Sequence, residues 1–436
     1  MGMRTQTTLD VWMNGTFVGR WSRDKGVHTF EYDVSYVQNP NACPLSLSLP
    51  LYQTSVGTFV ESFFDNLLPD SFEIRRRLAR RFGCASDSAF DILAETGRDC
   101  VGALQILKKD SPIPSVRTVE KQALTEHEIE LLLLDAVSNN PISVNNDDFF
   151  RISLAGAQEK TALLFHDGSW CMSLGATPST HIIKLPIRAM NSLSLDLHNS
   201  VENEWLCLQI LQAFGLPVAQ AAMHDFGNQR VLVVKRFDRK LSGDGSWYVR
   251  IPQEDFCQAH GLPSSRKYEV DKGVGIQACM DLLQASSQAY GDRKTFLSAH
   301  FLYWLMAAPD AHAKNFSLYL EQQGRFRMTP LYDVLSLHPV IGKGKGQIFD
   351  RKVTLAMGLE RRAHRYSWST MQRQHWLDTA KLCGAEHVMQ TIMDETLHSL
   401  PQVLDCLERQ LPQDFPQDVA QPIFNGMRKA ALRLQS

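Results

Sequence analysis

The chain of 436 residues lacks the patterns that mark several common classes of protein. Its nine cysteines stand singly, with no pair at two-residue spacing and no neighbouring histidines, so neither a zinc site nor a redox pair is indicated. The longest apolar runs, such as residues 301–308, are far too short to span a bilayer. Residues 1–6 lead into a strand pattern and not into an apolar targeting segment. We therefore predict reduced cysteines, a cytoplasmic location and no membrane partner.

A strong charge of either sign is also absent. Lys and Arg number 45 and Asp and Glu number 47, so the formal charge of -2 at pH 7 gives no general attraction to nucleic acids or to anionic membranes. Any contact with DNA must therefore come from a local patch or from a partner. The length predicts two or three packed units, because single hydrophobic cores stop growing beyond roughly 250 to 300 residues.

Strand signals dominate the first part of the chain. The strand-like segments are residues 10–13, 17–19, 28–32 and the alternating 45–49. Asn14 and Gly15 predict a tight turn between the first two. A helix is predicted from Asp70, where Glu73 completes a capping box, to Gly83.

A linker is predicted at residues 108–121, which are rich in proline and serine. Thr125 with Glu128 then predicts the capped start of an apolar helix. The strand-like segments that follow are residues 149–154, 161–165, 170–172, 181–185 and 231–234, with a helix at 200–214. Beyond about residue 250 the pattern is mostly helical. We predict three domains: a β-rich one at 1–110, a mixed one at 120–250 and a helical one at 251–436.

Asp310, Asn315 and Asp333 form the pattern with the most chemical content. Asp310 precedes Asn315 by five positions, and Asp333 follows shortly afterwards. This is the order and spacing of a phosphotransferase catalytic loop followed by its metal-binding Asp. One carboxylate accepts the proton of the substrate hydroxyl, while an amide oxygen and a second carboxylate hold Mg²⁺ against the phosphates. Taken alone, however, such a spacing is more typical of capping or turn residues.

Three weaker elements precede this loop in the order found in kinases. The small residues of 154–160 let backbone N–H groups approach a triphosphate, although the repeated glycines of a standard nucleotide loop are missing. Lys184 ends a strand and is placed to neutralise phosphates, with Glu202 or Glu204 orienting it. These glutamates lie two positions apart, so at most one faces Lys184 and the other is expected on the surface. Residues 231–239 fit a hinge strand whose backbone binds adenine, although a buried strand with a charged end fits equally.

On these residues the chain resembles the HipA family of bacterial serine/threonine kinase toxins over nearly its whole length. The segments that carry the resemblance are residues 44–51 (PLSLSLPL), 63–71 (FFDNLLPDS), 97–99 (GRD), 150–153 (FRIS), 155–160 (AGAQEK), 180–186 (THIIKLP), 236–239 (RFDR), 253–255 (QED), 261–265 (GLPSS), 312–317 (HAKNFS) and 355–359 (LAMGL). The resemblance implies an α+β, two-lobed, protein-kinase-like fold related to phosphatidylinositol kinases. The β-rich domain would be an extra N-terminal subdomain, followed by a nucleotide-binding N-lobe and a helical catalytic C-lobe.

The resemblance also implies roles for individual residues, with ATP and Mg²⁺ as cofactors. By position, Asp310 would be the catalytic base, and Asn315 and Asp333 would bind Mg²⁺. The nucleotide-binding residues would be Ala155, Gly156, Ala157, Gln158, Glu159, Lys160, Lys184, Lys235, Arg236, Phe237, His312, Ala313, Lys314, Asn315, Tyr332 and Asp333.

Ser153 would be the autophosphorylation site of the family. A phosphoserine there adds about two negative charges beside a site for the ATP phosphates, so phosphorylation is expected to repel the loop and abolish ATP binding. The alternative is that Ser153 is an ordinary strand residue whose hydroxyl has no regulatory role.

The resemblance further implies partners. Toxins of this family bind a small dimeric helix-turn-helix antitoxin, HipB, and corepress their own operon, and a known target is glutamyl-tRNA synthetase. The expected partners are therefore a HipB-type antitoxin, operator DNA reached mainly through it, and that synthetase, with a location at the nucleoid when DNA is bound. Lys381 matches a basic position that approaches DNA in the family, although Cys383 and Gly384 supply no second basic residue.

Two positions depart from the family pattern. Ala311 stands where Gly usually follows the catalytic Asp, which matters if that backbone needs a positive φ. Lys235 stands in the hinge where Glu is common. Neither change removes a reacting group, so an active kinase is expected. The alternatives are a catalytically weak scaffold that serves as corepressor, or a kinase for a lipid or other small molecule.

Overall fold

The computed structural model describes residues 7–51, 54–136, 158, 160–187, 195–360 and 365–435. The strand predicted at 149–154 lies outside these residues. Among the described residues, none of the helices combines the length and the apolar character that crossing a bilayer requires.

Strands and helices alternate irregularly along the described residues. The strands are β1 (Thr8–Met13), β2 (Thr16–Asp24), β3 (Val27–Tyr32), β4 (Ser55–Val56), β5 (Leu104–Lys108), β6 (Lys121–Ala123), β7 (Lys160–His166), β8 (Ser169–Ser173), β9 (His181–Lys184), β10 (Ala221–Phe226), β11 (Gln229–Lys235), β12 (Arg239–Leu241), β13 (Tyr248–Arg250), β14 (Gln253–Asp255), β15 (Ser317–Leu320), β16 (Phe326–Met328), β17 (Thr354–Leu359) and β18 (Arg365–Ser367). The helices are α1 (Val34–Val37), α2 (Thr58–Asp65), α3 (Phe72–Arg81), α4 (Ala89–Thr96), α5 (Glu126–Ala136), α6 (Ser200–Ala213), α7 (Phe256–Ala259), α8 (Ile276–Leu282), α9 (Ala289–Leu305), α10 (Arg373–Leu382), α11 (Glu386–Gln410) and α12 (Gln417–Gln435).

The chain divides into two compact units. The first unit comprises residues 1–185, 224–265 and 317–326, and the second comprises 186–223, 266–316 and 327–436. The first is rich in strands and the second holds the long helices α6, α9, α11 and α12. The finer division into three domains stays a prediction.

A five-stranded sheet opens the first unit, in the order β4-β3-β2-β1-β5. The predicted Asn14-Gly15 turn joins β1 to β2, and both residues have positive φ, 49° and 80°, which Asn and Gly tolerate best. The indole of Trp21 stacks on Phe64 at 3.9 Å between ring centroids and meets the edge of Phe90. These aromatic contacts fix α2 and α4 on one face of the sheet.

A six-stranded sheet follows, in the order β10-β11-β9-β7-β8-β6. Its central strand β9 pairs antiparallel with both β7 and β11. Leu163, Ile183 and Val233 are buried in its core together with Leu133 of α5. The predicted capping box starts α5, because the Thr125 hydroxyl and the Glu128 carboxylate bond each other's backbone N–H groups.

Two local predictions were wrong. Residues 45–49 form a turn closed by a single bridge between Ser46 and Leu49, and not a strand. The reason lies in tertiary contacts, since the Glu254 carboxylate accepts hydrogen bonds from the Ser46 hydroxyl and the Leu47 N–H. Helix α3 is capped by Ser71 and not by Asp70, because it is the Ser71 hydroxyl that accepts from the N–H of Ile74.

The second unit is built around the buried helix α9. Trp304 in α9 and Trp368 exchange hydrogen bonds, each indole N–H donating to the backbone carbonyl of the other residue. Both indoles are buried, so these bonds satisfy polar groups that water does not reach. Short strands such as β17 and β18 also occur in this predicted helical region.

Candidate active site

The loop that follows α9 carries Asp310 and Asn315. The Asn315 side-chain amide donates to the backbone carbonyl of Asp310 at 2.7 Å, and the N–H of His312 donates to the same carbonyl at 2.9 Å. A single 3₁₀ turn over residues 313–315 completes the loop. The five-residue spacing thus folds the Asn side chain back onto the Asp, which a strand or an α-helix at this spacing would not do.

Neighbouring segments of the second unit hold this loop by its backbone. The carbonyl of Pro309 accepts from Ala356 in β17 at 2.9 Å, and the N–H of Ala313 donates to Lys267 at 3.3 Å. His312, Ala313 and Lys314 are all buried, at 3%, 0% and 6% exposure. The loop is therefore buried and held in one conformation by backbone hydrogen bonds.

The segment that contains Asp333 is bound directly to the same loop. The Tyr332 hydroxyl donates to the carbonyl of Lys314 at 3.0 Å, and the N–H of Leu337 donates to Ala307 at 2.8 Å. Just before Asp333, Leu331 pairs with Val218 in an isolated parallel bridge. The structure therefore brings the two predicted metal-binding segments together within the second unit.

Asp333 has a backbone conformation that the sequence did not predict. Its φ is 59°, in the left-handed region. Among non-glycine residues, Asp and Asn enter this region most readily, yet it is still uncommon. Left-handed residues persist where the surroundings determine them, and they cluster at functional sites.

The side chain of Asp310 is accessible, with 58% of its surface exposed. Its Oδ1 accepts a hydrogen bond of 2.8 Å from the hydroxyl of Tyr268, and its Oδ2 lies 3.9 Å from Nε2 of His312. The ring of Tyr268 in turn meets the ring of His312 edge to face at 5.1 Å. An exposed carboxylate with one fixed oxygen is suited to accept a proton from a substrate hydroxyl.

The donor set of Asn315 and Asp333 fits Mg²⁺. The bond to Asp310 uses the amide nitrogen of Asn315, so its oxygen is the side-chain atom suited to ligate a cation. Within the described ranges no group of three His, Cys, Asp or Glu side chains is arranged to hold a metal ion. Mg²⁺ sites in phosphotransferases usually use one or two protein carboxylates, with substrate phosphates and water completing the coordination.

The first unit places two lysines on neighbouring strands. Lys184 in β9 is directly opposite Lys160 in β7 and Leu232 in β11, and only 6% of Lys184 is exposed. Gln158 donates from its side-chain amide to the carbonyl of Leu185 at 2.6 Å. The row thus carries two cationic side chains on the same face of the sheet.

The predicted hinge residues differ in their surroundings. Lys235 is exposed at the end of β11, and the carbonyl of Phe237 accepts from the Tyr319 hydroxyl at 3.2 Å. The side chain of Arg236 is 2% exposed and is engaged in a buried ion network, so the proposed hinge contact at this residue would be made by its backbone, as predicted for residues 235–237. Only its backbone remains available for such a role, and the Arg236 N–H already donates to Thr180 at 2.9 Å.

The buried ion network consists of Asp99, Asp238, Arg236, Arg239 and Arg250. Arg236 contacts Asp99 at 3.2 Å and Asp238 at 2.9 Å, and Arg239 contacts Asp99 at 2.8 Å. Burial by itself raises the pKa of Asp99, but the charges of Arg239, Arg236 and Arg250 outweigh burial and lower that pKa overall. Burial is also the first cause for Arg250 and lowers its pKa to about 10. These pairs join residues 99–102 to the end of β11 inside the first unit.

Not all of the predicted residues are described by the structure. Ser153, Ala155, Gly156, Ala157 and Glu159 lie outside the described residues. Glu202 and Glu204 are both buried in α6, so the expectation that one of them is on the surface was wrong.

The structure also describes Ala311, the other departure from the family pattern, and Lys381, the candidate DNA contact. Ala311 is not among the described residues with positive φ, so its Cβ causes no backbone conflict. Lys381 is exposed in the last turn of α10. Its exposure leaves it accessible to a partner.

Sequence reasoning missed Tyr268 and the buried ion network. Charged residues in the quoted segments 97–99 and 236–239 were a signal for the network, but their burial could not be read from the sequence. Tyr268 carried no signal, because 42 positions separate it from Asp310.

Comparisons with known proteins point in one direction. The profile of the HipA-like C-terminal domain matches residues 152–404, and that of the HipA N-terminal domain matches residues 9–107. The chain is 33% identical to "Putative kinase Y4mE" of Sinorhizobium fredii, over 81% of this chain and 83% of that protein. It is 25% identical to "Serine/threonine-protein kinase toxin HipA" of Shewanella oneidensis, over 76% and 75% of the two chains.

A solved structure is similar as well. It is the Shewanella oneidensis MR-1 toxin-antitoxin complex of HipA, HipB and operator DNA, whose matching chain superposes with a TM-score of 0.81 at 21% identity, covering 98% of this chain and 97% of that one. This likeness concerns the fold, and it confirms the predicted α+β class.

Proposed function

This chain belongs to the HipA family of serine/threonine kinase toxins, and we propose that it transfers the terminal phosphoryl group of ATP to a serine or threonine hydroxyl of a target protein, with Asp310 as the base. The observation that carries the assignment is the loop in which Asn315 is folded onto Asp310 and bound to the Asp333 segment. Phosphoryl transfer requires positioning and charge stabilisation more than covalent chemistry. A rigid loop with one accessible carboxylate meets that requirement.

In the proposed reaction, each residue has a separate task. Asp310 accepts the proton of the substrate hydroxyl as the new O–P bond forms. Asn315 and Asp333 would hold Mg²⁺, which when bound neutralises charge on the phosphates. The Tyr332 hydroxyl donates to the backbone carbonyl of Lys314 at 3.0 Å, and this bond holds the two segments next to each other.

The nucleotide would be bound from the first unit by Lys184, Lys160 and Gln158. The paired positions of the two lysines in β7 and β9 support a phosphate-binding role. We place the adenine against the backbone of residues 235–237 and the phosphate loop at residues 155–160, on the resemblance to the family. Replacing Lys184 by Met should raise the KM for ATP more than it changes the KM for the protein substrate.

Autoregulation is proposed at Ser153. A phosphate at this position adds about two negative charges close to the proposed phosphate loop, and like charges repel the ATP phosphates. The phosphorylated protein is therefore expected to lose ATP binding. The support is the family resemblance of residues 150–160 together with this electrostatic argument.

We further propose that the protein acts as the toxin of a toxin-antitoxin pair. Its antitoxin would be a HipB-type helix-turn-helix dimer, through which it would reach operator DNA and corepress its operon. The related complex from Shewanella oneidensis contains HipB and operator DNA, which supports this partnership. A net charge of -2 makes contact through the antitoxin more favourable than direct binding, with Lys381 as a single candidate contact.

Glutamyl-tRNA synthetase is the proposed protein substrate, on the family resemblance alone. Phosphorylation of that enzyme would stop translation and growth in the bacterial cytoplasm. Purified synthetase should gain one phosphate when incubated with this protein, Mg²⁺ and ATP. A synthetase that stays unmodified under conditions in which Ser153 is modified would reject this substrate while leaving the kinase assignment in place.

The first experiment is intact-mass measurement after incubation with Mg²⁺ and ATP. Dephosphorylated wild-type protein and the variants Ser153→Ala and Asp310→Asn are compared with unincubated samples. A gain of one phosphate that both variants lose supports an active kinase with Ser153 as its own target. No gain in a wild-type protein that binds ATP would reject the proposal in favour of a scaffold that acts as corepressor.

A further inference from the structure

The hydroxyl of Tyr268 is bound to the proposed catalytic base. It donates to Oδ1 of Asp310 at 2.8 Å, an ordinary distance for an O–H···O hydrogen bond. The other contact described for this carboxylate, from His312 to Oδ2, is 3.9 Å long. Tyr268 therefore determines where Oδ1 lies.

The loop that carries Tyr268 is held in place by several independent bonds. Its backbone carbonyl accepts from the N–H groups of Asp271 and Gly273, at 3.1 and 3.0 Å. The preceding carbonyl, of Lys267, accepts from Ala313 in the catalytic loop. The next side chain, Glu269, accepts from the N–H of Gly358 at 2.6 Å. Tyr268 is thus anchored on both sides.

Two glycines show how closely this loop is packed. A Cβ on Gly273 would lie 2.2 Å from the carbonyl oxygen of Arg266, and a Cβ on Gly275 would lie 2.0 Å from the carboxylate of Glu269. The clash at Gly273 is with backbone, so the loop keeps this form only with glycine there, whereas the clash at Gly275 is with the end of the Glu269 side chain, which can move aside. A loop packed so tightly can hold a phenol hydroxyl at a constant distance from Asp310.

The ring of Tyr268 is also fixed. It meets the buried imidazole of His312 edge to face at 5.1 Å, and Nζ of Lys267 lies 5.3 Å from its centroid. Two contacts on the ring and one on the hydroxyl leave little rotational freedom for the side chain. The geometry is that of a third group that orients a base, as in other catalytic constellations.

We propose that Tyr268 is a positioning residue for the phosphoryl-transfer reaction: it fixes Oδ1 of Asp310 so that Oδ2 is presented to the acceptor hydroxyl. This inference rests on the proposed function, because it assumes that Asp310 is the base. An ionised carboxylate accepts several hydrogen bonds, so the bond from Tyr268 leaves Oδ2 open to the substrate. Asp310 is 58% exposed, and without Tyr268 its side chain would sample several rotamers.

The test uses the full-length protein with Tyr268→Phe, which removes the hydroxyl and keeps the ring against His312. We expect kcat to fall by between about tenfold and about a hundredfold, the range given by a hydrogen bond to a charged group. The KM for ATP and the melting temperature should not change, because the bond that is lost goes to the exposed carboxylate of Asp310. Tyr290→Phe is the matched control: Tyr290 is 72% exposed on α9, and its loss of a hydroxyl should leave kcat unchanged.

The outcomes separate this inference from the function on which it rests. If Asp310→Asn is inactive and Tyr268→Phe keeps the wild-type kcat, positioning by Tyr268 is wrong and the kinase assignment stands. If Tyr268→Phe is faster than wild type, the hydroxyl blocks the acceptor position, and the proposal is again overturned. If Asp310→Asn keeps full activity, the base assignment itself is rejected. Tyr268→Ala should lose at least as much kcat as Tyr268→Phe.

Discussion

Aspartates in the two units of this protein have opposite surroundings. In the first unit, Asp99 and Asp238 are buried and each contacts at least two arginines. In the second unit, the side chain of Asp310 is 58% exposed and accepts a hydrogen bond from the neutral hydroxyl of Tyr268. A carboxylate surrounded by cations has no lone pair to spare for a substrate, whereas an exposed one does. The same residue type thus stabilises one unit and is available for chemistry in the other.

A third kind of carboxylate sharpens this contrast. Glu254 is as deeply buried as Asp99, but its hydrogen bonds come from the Ser46 hydroxyl and the Leu47 N–H and not from guanidinium groups. Burial therefore dominates and raises the pKa of Glu254 to about 8. Partner charge, and not burial alone, decides whether a buried carboxylate is ionised.

Replacing the exposed base should give the largest effect on activity. We expect Asp310→Asn to reduce kcat by about 10²- to 10⁴-fold, because general base catalysis contributes that much. The melting temperature should stay within the error of the wild-type value, since an exposed side chain contributes little to stability. Steady-state phosphorylation and thermal unfolding of the same preparation test both parts. If Asp310→Asn unfolds at a lower temperature than the wild type but keeps its activity, Asp310 contributes to stability and not to catalysis.

Replacing a buried network carboxylate should do the opposite. Asp99→Asn leaves arginines buried without their counter-charge and should reduce the free energy of unfolding by about 3 to 5 kcal/mol. Because the pKa of Asp99 is lowered in the folded protein, its contribution is present above about pH 4 and is lost as the pH falls, so the variant should be less sensitive to acid. Urea unfolding at several pH values measures both effects.

The matched control for this change is Asp225→Asn. Asp225 pairs with Arg230 on the surface, with 58% and 35% of the two side chains exposed. Exposed pairs contribute less than about 1 kcal/mol, so the urea midpoint should hardly move. Equal losses for Asp99→Asn and Asp225→Asn would mean that the buried network has no special role in stability.

Replacing Glu254 should change how steeply the free energy of unfolding depends on pH more than it changes that free energy at one pH. The folded protein keeps a proton on Glu254 up to about pH 8, while the unfolded chain releases it near 4.5. Its contribution to stability is therefore fully present below pH 4.5 and is lost as the pH rises through 8. Glu254→Gln mimics the protonated form and should flatten the stability profile in this window, by up to about 1.4 kcal/mol for each pH unit. An unchanged slope would contradict the raised pKa.

The smallest expected effect concerns the backbone of Asp333. Asn adopts its left-handed conformation as readily as Asp, whereas Ala costs about 1 kcal/mol more. Asp333→Asn and Asp333→Ala should both lose activity, but only the Ala variant should unfold at a lower urea concentration. Equal stability of the two variants would show that the φ of 59° is not a source of strain.

Local signals in the sequence predicted local structure well. Asn14-Gly15 predicted the first hairpin, and Thr125 with Glu128 predicted the start of α5, because turns and caps depend on residues a few positions apart. The alternating residues 45–49 misled, since the carboxylate of Glu254, more than 200 positions away, holds Ser46 and Leu47 in a turn. A pattern with period two cannot report such a contact.

The sequence by itself determined the family, the α+β class and the candidate residues Asp310, Asn315 and Asp333, because spacing and order within short segments are preserved when a chain folds. Only the tertiary structure decided which charged side chains are buried, which are exposed and which groups they contact. It placed Arg236 in a buried ion network, put Asp333 in the left-handed region and brought the hydroxyl of Tyr268 to Asp310. Each of these depends on segments that are distant along the chain, and burial and charge pairing arise only when those segments meet.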